Sequence, residues 1–416
     1  MILANGILRP DGDLPQVLAG LEEELLTTLA GPVLEARTVI GACARLLDRL
    51  DRGELDALIA QYATPQLLAE LEEYRRFLRP EALEARLALE LGGLDGPRPF
   101  GRTEAYPLGV LLHVAAGNLD GLPAYTALEG LLTGNINLVK LPSGDSGLSL
   151  ALAKLLTDTE PRLAPYLYVF PIPSSDRASL GTLARLANGI VTWGGDEAIT
   201  ALRALAPAGC RLIEWGHRLS FAYLSGEASE ADLTALARHI LATNGLLCSS
   251  CQGIYVDTDQ MEDLERFARR FLPILERAAR GRTPGQAALS TLHGWEHRLE
   301  LAADGSPDRV LPGRGCSLTV CPGRALELSP LYGNVWVKAL PRRELVRALA
   351  PCRGRLQTAG LLCPPEERAE LTALLARAGV NRITAPGRMS APLPGETHDG
   401  EYPLRRYLRA VDIADR

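Results

Sequence analysis

The sequence predicts an α/β protein that has a doubly wound, mostly parallel sheet followed by a second α/β unit. From Leu108 onward, apolar segments of strand length alternate with segments of helix length, and this alternation is typical of parallel sheets covered by helices. Several of the strand segments are largely apolar, as expected of strands buried on both faces. The 416 residues are enough for roughly two to three domains with a large core.

The first part of the chain is predicted to be a helical layer. Between about Leu14 and Leu91, apolar residues recur at spacings of three and four, which is the period of an amphipathic helix. The segment from Gly92 to Pro99 (GGLDGPRP) ends this pattern. The layer itself carries no residues that indicate chemistry.

The predicted elements then follow in strand and helix order. The strands of the first unit are expected at Val110–Val114, Ile136–Lys140, Tyr166–Phe170, Gly189–Trp193 and Arg211–Trp215. The helices between them are expected at Pro123–Leu132, Ser149–Leu156, Leu180–Ala187 and Glu197–Leu205. The second half predicts a helix before Cys248, a strand ending at Val256, a helix over Met261–Ala279, and strands near 335–338 and 358–362.

Composition is that of a soluble globular protein. Hydrophobic residues make up 47% and charged residues 23% of the chain, and the net charge is −6. This charge gives no electrostatic reason to expect nucleic acid or an anionic membrane as a partner. The N-terminus lacks a signal-peptide pattern, and the longest apolar stretch, 108–119, is too short for a membrane span. We expect a cytoplasmic protein whose eight cysteines are reduced thiols.

One cysteine stands in a setting that favours reactivity. The segment Thr243–Gln252 (TNGLLCSSCQ) places Cys248 in a turn of small residues, after a predicted helix and before a predicted strand. Backbone N–H groups in such a turn can point at the sulfur and favour the thiolate. We interpret Cys248 as a catalytic nucleophile; the alternative is a small core residue. Cys251 could trap it as a disulfide, whereas a metal site that adds Cys316 and Cys321 is disfavoured by their spacing and by the lack of histidine.

Three polar segments follow predicted strands of the first unit. Asn118 comes after the first strand, Lys140–Asp145 begins at the end of the second, and Trp193, Gly194 and Gly195 end the fourth. Ligands of doubly wound sheets bind beyond the carboxyl ends of strands. A lysine and a pair of glycines there indicate a dinucleotide site, although the chain has no Gly-x-Gly-x-x-Gly fingerprint.

These motifs occur in an order that resembles the aldehyde dehydrogenase superfamily. The series is Gly117-Asn118, Gly134–Ser143 (GNINLVKLPS), Trp193-Gly194-Gly195, Glu214–Arg218 (EWGHR) and Gly245–Cys248 (GLLC). Within the superfamily the chain is most similar to the acyl-CoA reductase branch, typified by the LuxC subunit of the bacterial bioluminescence fatty-acid reductase. Later segments, including His398-Asp399-Gly400, also resemble that branch. The resemblance spans about residues 100 to 412.

The resemblance implies a fold and a reaction. It implies an aldehyde-dehydrogenase-like fold with the active site in a cleft between a cofactor domain and a catalytic domain. Cys248 would attack an acyl thioester and form an acyl-enzyme, which hydride from a nicotinamide would reduce to aldehyde. Asn118 and the backbone N–H of Cys248 would stabilise the oxyanion.

It also implies the cofactor contacts. Lys140 and Ser143 match the contacts to the adenosine ribose and phosphate, and Trp193, Gly194 and Gly195 match the turn near the pyrophosphate. An acidic residue after the second strand would repel the 2′-phosphate of NADPH. We expect NADPH because Lys140 and Ser143 come before Asp145, the nearest acidic residue, but Asp145 leaves NADH open as the cofactor.

The expected domains are 1–220 for the helical layer and cofactor domain, 221–385 for the thiol domain, and 386–416 for a segment that returns to the cofactor domain or a subunit interface. By resemblance we expect a homo-oligomer that takes acyl-CoA or an acyl-protein, with an acyl-protein synthetase as a further partner.

Glu214 leaves two alternatives open. In aldehyde-oxidising relatives the matching glutamate activates water to hydrolyse the acyl-enzyme, so its presence allows oxidation of an aldehyde to the acid. The following Trp215–Ser220 (WGHRLS) departs from the oxidising pattern and is closer to the reductase branch. A non-catalytic acyl-binding paralogue is the second alternative. The glutamate that holds the nicotinamide ribose in oxidising relatives is replaced by Pro330, with Glu327 three residues away.

Overall fold

The computed structural model describes residues 1–62, 65–99, 101–117, 121–391 and 395–414. The chain forms two compact units. The first consists of Met1–Gly216 together with Leu393–Arg416, and the second of His217–Pro392.

The first unit begins with a short hairpin and a group of helices. Its strands are β1 (Ile2–Ala4), β2 (Ile7–Arg9), β3 (Gly96–Arg98), β4 (Gly101–Pro107), β5 (Val110–Val114), β6 (Ile136–Lys140), β7 (Leu167–Phe170), β8 (Gly189–Trp193) and β9 (Arg211–Trp215). Its helices are α1 (Leu14–Leu29), α2 (Ala36–Asp51), α3 (Asp56–Tyr62), α4 (Pro65–Phe77), α5 (Pro80–Leu91), α6 (Leu122–Leu132), α7 (Leu148–Thr159), α8 (Arg177–Leu186) and α9 (Asp196–Leu205).

The second unit repeats the α/β alternation. Its strands are β10 (Leu219–Leu224), β11 (Cys251–Val256), β12 (Arg309–Gly313), β13 (Cys316–Cys321), β14 (Asn334–Ala339), β15 (Leu356–Leu362) and β16 (Arg382–Thr384). Its helices are α10 (Glu230–Thr243), α11 (Met261–Ala279), α12 (Pro284–Ala303), α13 (Leu345–Leu349) and α14 (Arg368–Ala378). The chain then returns to the first unit through α15 (Pro403–Arg406) and β17 (Leu408–Ala414).

Each unit is built on a seven-stranded sheet. The order in the first is β2-β1-β7-β6-β5-β8-β9, and β7, β6, β5, β8 and β9 are all parallel. The order in the second is β12-β13-β14-β11-β10-β15-β16, in which only the β12–β13 pair is antiparallel. In both sheets the central strands are buried on both faces, which explains why their sequences are largely apolar and do not alternate between apolar and polar residues.

A third, smaller sheet ties the end of the chain to the first unit. Its order is β17-β4-β3, with antiparallel pairing that runs from Leu408 opposite Pro107 to Ala414 opposite Gly101. Beside it, the Tyr407 ring is fully buried and its hydroxyl donates to Glu129 Oε2 at 3.1 Å. Glu90 accepts the backbone N–H of Leu404 at 2.9 Å. These contacts anchor the C-terminal segment in the first unit.

The predicted α/β alternation is confirmed by the structure, and the differences concern elements with weak local signals. The helical layer and the strands and helices of the first half are present, with ends shifted by up to three residues. The elements without a predicted counterpart are the first hairpin, β3, β4, β10, β12, β13, β16, β17 and the helices α12 to α15. Helix α12 has only Ser290 buried, so its sequence lacks the apolar stripe of a core-facing helix. None of the helices in the described ranges combines the length and apolar composition needed to cross a bilayer.

Candidate active site

Cys248 lies in the short loop that joins α10 to the central strand β11, at the amino end of the second sheet. Helix α10 ends at Asn244, which adopts a left-handed conformation with φ 53°, and Gly245 continues with φ 81°. A tight turn follows, in which the Ser250 N–H donates to the Leu247 carbonyl at 2.9 Å. The left-handed pair reverses the chain direction within two residues, and the cysteine is therefore presented at the surface between helix and strand.

Two buried side chains, Ser220 and His239, hold this loop through hydrogen bonds to the backbone of Cys248 and Cys251. The Ser220 hydroxyl donates to the Cys248 carbonyl oxygen at 2.7 Å and accepts the Thr358 N–H at 3.0 Å. The His239 Nε2 accepts the Cys251 N–H at 3.2 Å. Burial lowers the pKa of His239 to about 4, so the ring is neutral and can accept this hydrogen bond. The sequence indicates no role for His239; the available signal is its position one turn before the end of α10.

The eight cysteines, all within the described residues, differ sharply in exposure. Only Cys248 is exposed, and Cys43, Cys251, Cys316 and Cys321 are buried. Burial raises the pKa of the thiols of Cys43, Cys251 and Cys316 to about 12. Cys210, Cys352 and Cys363 are only partly exposed. Cys248 is therefore the most accessible thiol, and it lies in a constrained loop, as suits a nucleophile.

The burial of Cys251 counts against its trapping Cys248 as a disulfide. The Cys251 thiol is 1% exposed, lies inside β11 and donates to the Gly253 carbonyl oxygen at 3.2 Å. A thiol with a pKa near 12 is almost entirely protonated at neutral pH and is a poor partner for exchange. Nor do the described residues contain a group of three or more histidine, cysteine or carboxylate side chains that could hold a metal ion.

The predicted cofactor residues lie at the carboxyl edge of the first sheet. Lys140 ends β6 and Trp193 ends β8, two strands that both neighbour β5. Ser143 is exposed in the loop after β6, and Gly194 and Gly195 connect β8 to α9. The fold thus brings these residues to one edge of one sheet. Asn118 lies outside the described residues.

Lys140 is the unusual member of this group. Its side chain is 3% exposed, and its ammonium donates to the Ser174 hydroxyl at 3.0 Å. Burial lowers its pKa, and among the described residues no carboxylate forms an ion pair with it. A buried cation without an anionic partner is costly, and an anionic ligand would offset that cost.

The turn at Gly194 and Gly195 leaves room for a ligand to approach the backbone. Gly195 is the N-cap of α9, where no side chain accepts the first helical N–H groups. A Cβ built on Gly195 would meet no atom within 4 Å. Open space beside a helix N-terminus, with a lysine on a nearby strand, suits a phosphate group. The residues therefore fit a phosphorylated cofactor.

Glu214 is placed on β9 in a tight ion pair. Both of its carboxylate oxygens accept hydrogen bonds from the Arg203 guanidinium at 2.6 Å, and its side chain is 22% exposed. A general base needs a free oxygen to accept a proton. In this geometry both oxygens of Glu214 are engaged by Arg203, and any water that the carboxylate activates would compete with this ion pair.

An aromatic cluster that the sequence analysis did not predict lies at the same sheet edge. Trp193, Trp215 and His398 are in mutual contact, with ring centroids 4.8 to 5.6 Å apart. His398 begins a turn in which Asp399 and Gly400 have positive φ, and the turn is closed by backbone hydrogen bonds to Glu401 at 2.9 Å. The signal was the His-Asp-Gly motif, whose partners 183 or more residues earlier are visible only in the fold.

Comparison with known proteins identifies the family. A profile described as acyl-CoA reductase (LuxC) matches residues 38–410, which is most of the chain. The chain belongs to the acyl-CoA reductase (LuxC) family. A long-chain acyl-protein thioester reductase of Aliivibrio fischeri is 25% identical over 324 residues, which cover 76% of this chain and 66% of that protein. The chain spans at most about two thirds of the length of the curated relatives it matches.

Solved structures establish the fold of this LuxC-family chain. A glyceraldehyde-3-phosphate dehydrogenase of Methanocaldococcus jannaschii, solved in complex with NADP, matches with a TM-score of 0.71 at 12% identity over 98% of this chain and 96% of its own. A lactaldehyde dehydrogenase of Escherichia coli matches with a TM-score of 0.68 at 16% identity over 97% of this chain and 91% of its own. The fold is that of the aldehyde dehydrogenases, as the motif order predicted.

The cofactor candidates lie at the carboxyl ends of strands in their sheet, whereas Cys248 lies at the amino end of a strand in its own sheet. The cofactor candidates follow the rule for doubly wound sheets, since they lie at carboxyl ends of strands. Cys248 lies before β11 instead, at the amino end. The carboxyl edge of the second sheet carries an ion-pair network in which Arg342 contacts Asp257 and Glu367.

Proposed function

We propose that this protein reduces a fatty acyl thioester to an aldehyde through a covalent acyl intermediate on Cys248, using NADPH. The observation that carries the proposal is the single exposed thiol, Cys248, held in a constrained loop of an aldehyde-dehydrogenase fold. Membership of the acyl-CoA reductase family supports a thioester substrate, and a relative bears the name long-chain acyl-protein thioester reductase.

The reaction proposed for Cys248 needs no second side chain that reacts with the substrate. Its thiolate attacks the acyl carbon, the bond to the carrier sulfur breaks, and the carrier leaves as a thiolate that takes a proton from solvent. The acyl carbon would then receive hydride, which is the chemistry that a nicotinamide would supply when bound. The tetrahedral oxyanion then collapses, the carbon–sulfur bond to Cys248 breaks, and aldehyde leaves. Asn118 and the backbone N–H of Cys248 are proposed to stabilise the oxyanion, which is worth about 100-fold or more in rate per donor.

The proposed cofactor contacts rest on Lys140. Its buried ammonium would pair with a phosphate of the nucleotide, with Ser143 and the Gly194-Gly195 turn as further contacts. The first turn of α9 carries the exposed acidic residues Asp196 and Glu197, so the lysine is the local charge that favours an anion. NADPH is preferred over NADH because its extra phosphate adds negative charge near this cation.

The reaction is tested by intact-protein mass spectrometry with a long-chain acyl-CoA in the absence of cofactor. The native chain should gain one acyl mass, Cys248→Ala should gain none, and Cys210→Ser, a partly exposed cysteine elsewhere, should behave like the native chain. Addition of NADPH should release the acyl group as aldehyde. No adduct, or an adduct released as free acid without NADPH, would refute the proposal and favour the non-catalytic or oxidising alternative respectively.

The cofactor contact is tested by measuring NADPH binding to the native chain and to Lys140→Met through the change in tryptophan fluorescence. Loss of the ammonium should raise the Kd at least about tenfold, which corresponds to ~1.4 kcal/mol. Lys154→Met is the matched control, since Lys154 lies on α7 in an ion pair with Asp158. Equal affinity of the native chain for NADH and NADPH would contradict the assignment of the extra phosphate.

The proposal also includes the carrier of the acyl group, a partner protein and the oligomeric state. An acyl-protein is proposed beside acyl-CoA because the curated relatives carry that word in their names. An acyl-protein synthetase is the proposed further partner, and a homo-oligomer in the cytoplasm the proposed state. Size-exclusion chromatography with light scattering tests the oligomer, and a monomer at micromolar concentration would contradict it.

A further inference from the structure

Arg282 occupies a central position behind the cysteine loop. It lies between α11 and α12 and directly precedes Thr283, the N-cap of α12. Its guanidinium donates to the carbonyl oxygens of Tyr332 at 2.7 Å and Gly315 at 3.0 Å, and to the Asn244 side-chain oxygen. Three chain segments far apart in sequence therefore converge on one side chain.

All three partners of Arg282 are neutral. Among the described residues no carboxylate forms an ion pair with this guanidinium, and its Nε atom is buried without a hydrogen-bond partner. Partial burial lowers the pKa of the arginine, which reflects the cost of holding its charge away from water. A surface-stabilising arginine would be expected to pair with an acid. The arrangement therefore indicates that Arg282 serves to hold the three segments in a fixed geometry.

The turn that Arg282 binds is conformationally strained. Leu331, Tyr332 and Gly333 have φ values of 67°, 48° and 84°, and the first two lack the freedom of glycine. Left-handed backbone at such residues costs about 1 to 2 kcal/mol each and persists only where neighbours hold it. Arg282 holds the turn through the Tyr332 carbonyl, and the Tyr332 N–H donates to the Asn244 carbonyl at 2.9 Å.

The same turn packs directly against the start of the cysteine loop. A Cβ on Gly245 would lie 2.8 Å from Leu331 Cδ2 and 3.0 Å from Ser329 Oγ. The Gly245 carbonyl accepts from the Gln252 side chain at 3.0 Å, and the other end of that amide accepts from Ser329. Movement of the 331–333 turn would therefore move Gly245, three residues before Cys248.

We infer that Arg282 is a positioning residue for the nucleophile: it clamps the left-handed turn 331–333 onto Asn244 and so sets where the loop that carries Cys248 begins. The inference rests on the proposed function for its consequence in catalysis. Its structural part, the clamp itself, is independent of any reaction.

The clamp is tested by hydrogen exchange on the native chain and on Arg282→Ala, at a temperature at which both are folded by circular dichroism. Exchange should rise in peptides covering 244–250 and 329–334 and stay unchanged in the first unit. Arg280→Ala, an exposed arginine two residues away, is the matched control and should change neither peptide. Unchanged exchange in both peptides of Arg282→Ala would overturn the clamp.

The positioning role is tested by the rate of Cys248 acylation in single turnover. Arg282→Ala should lose about 100-fold, the size expected when a reacting group shifts by roughly 1 Å. Arg282→Lys should retain part of the rate, because an ammonium can reach some of the acceptors. Millimolar guanidinium should restore Arg282→Ala in a saturable manner, and equal urea should not. A rate equal to the native one, or an increase in exchange without loss of rate, would overturn the positioning role.

A second variant keeps the inference testable if Arg282→Ala does not fold. Asn244→Gly allows the same left-handed conformation and removes the side chain whose oxygen Arg282 binds. It should lower the acylation rate, and Arg282→Lys should lower the rate by a smaller factor in the Asn244→Gly background than in the native chain, because both changes weaken the contact between Arg282 and Asn244. Full additivity would overturn the inference. If the native chain takes no acyl group at all, the proposed function fails, whereas the exchange experiment still decides the clamp.

Discussion

At the residue scale, the histidine beneath the cysteine loop makes a prediction about pH. Burial lowers the pKa of His239 to about 4 in the folded chain, against about 6.5 when unfolded. Below pH 6.5 the unfolded chain binds more protons at this residue, so the free energy of unfolding must fall as the pH drops from 6.5 towards 4. One such histidine removes about 2 kcal/mol between pH 7.5 and pH 5.

The measurement compares urea unfolding of the native chain and His239→Gln at the two pH values. A glutamine oxygen can still accept the Cys251 N–H but does not titrate in this range. The variant should therefore lose about 2 kcal/mol less than the native chain on going to pH 5. Identical pH dependence in the two proteins would contradict the neutral, buried state of the ring.

Residue types in the sequence indicated which side chains could react, but not their partners. Cys248 could be singled out because it lies in a turn of small residues between a predicted helix and a predicted strand. His113, inside the apolar strand β5, is a core residue whose ring is hydrogen-bonded to Thr126 and Asn137, both at 2.9 Å. The pairing of Glu214 with Arg203 and of Glu327 with Lys338 could not be foreseen, because each depends on how a helix or loop packs beside a strand.

At the element scale, the end of α10 makes a prediction about backbone conformation. Gly245→Ala should destabilise the second unit by about 2 kcal/mol or more, because φ 81° is unfavourable for alanine. The added carbon would also press on Leu331 Cδ2 at 2.8 Å. The control is Gly285→Ala in the first turn of α12, where a Cβ meets nothing within 4 Å. It should be neutral or stabilising by up to about 1 kcal/mol. Thermal unfolding measures both, and equal melting temperatures would contradict the close approach of the turn.

Elements with a strong period were predictable, whereas those stabilised by long-range pairing were not. Helix α11 is found at the predicted bounds, Met261–Ala279, because its apolar stripe is continuous. Strand β13 is fully buried between β12 and β14, yet its sequence Cys316–Cys321 (CSLTVC) is short and partly polar. Its strand state depends on neighbours at both sides, which local sequence does not reveal.

At the scale of the whole molecule, the returning C-terminal segment makes a prediction about cooperativity. Tyr407 is fully buried in the first unit and donates to Glu129. Tyr407→Ala should therefore cost about 3 to 5 kcal/mol. The loss should raise hydrogen exchange in peptides of the first unit, including β4 and β5, and leave β11 and β14 of the second unit unchanged. Tyr402→Ala, at a partly exposed ring in the same segment, should have a much smaller effect. An equal rise in both units would contradict the assignment of the segment to the first unit.

The sequence alone determined the α/β class, the alternation of strands and helices, and the set of residue types able to carry chemistry, because each follows from local periodicity and local turn chemistry. Only the tertiary structure decided which of these residues share an edge. It placed Lys140 and the Gly194-Gly195 turn at the carboxyl end of one sheet and Cys248 at the amino end of another. It also brought Arg282, Asn244 and Tyr332 into contact. The physical reason is that strand order, helix packing and chain return depend on contacts between residues far apart in sequence, and local patterns do not encode those contacts.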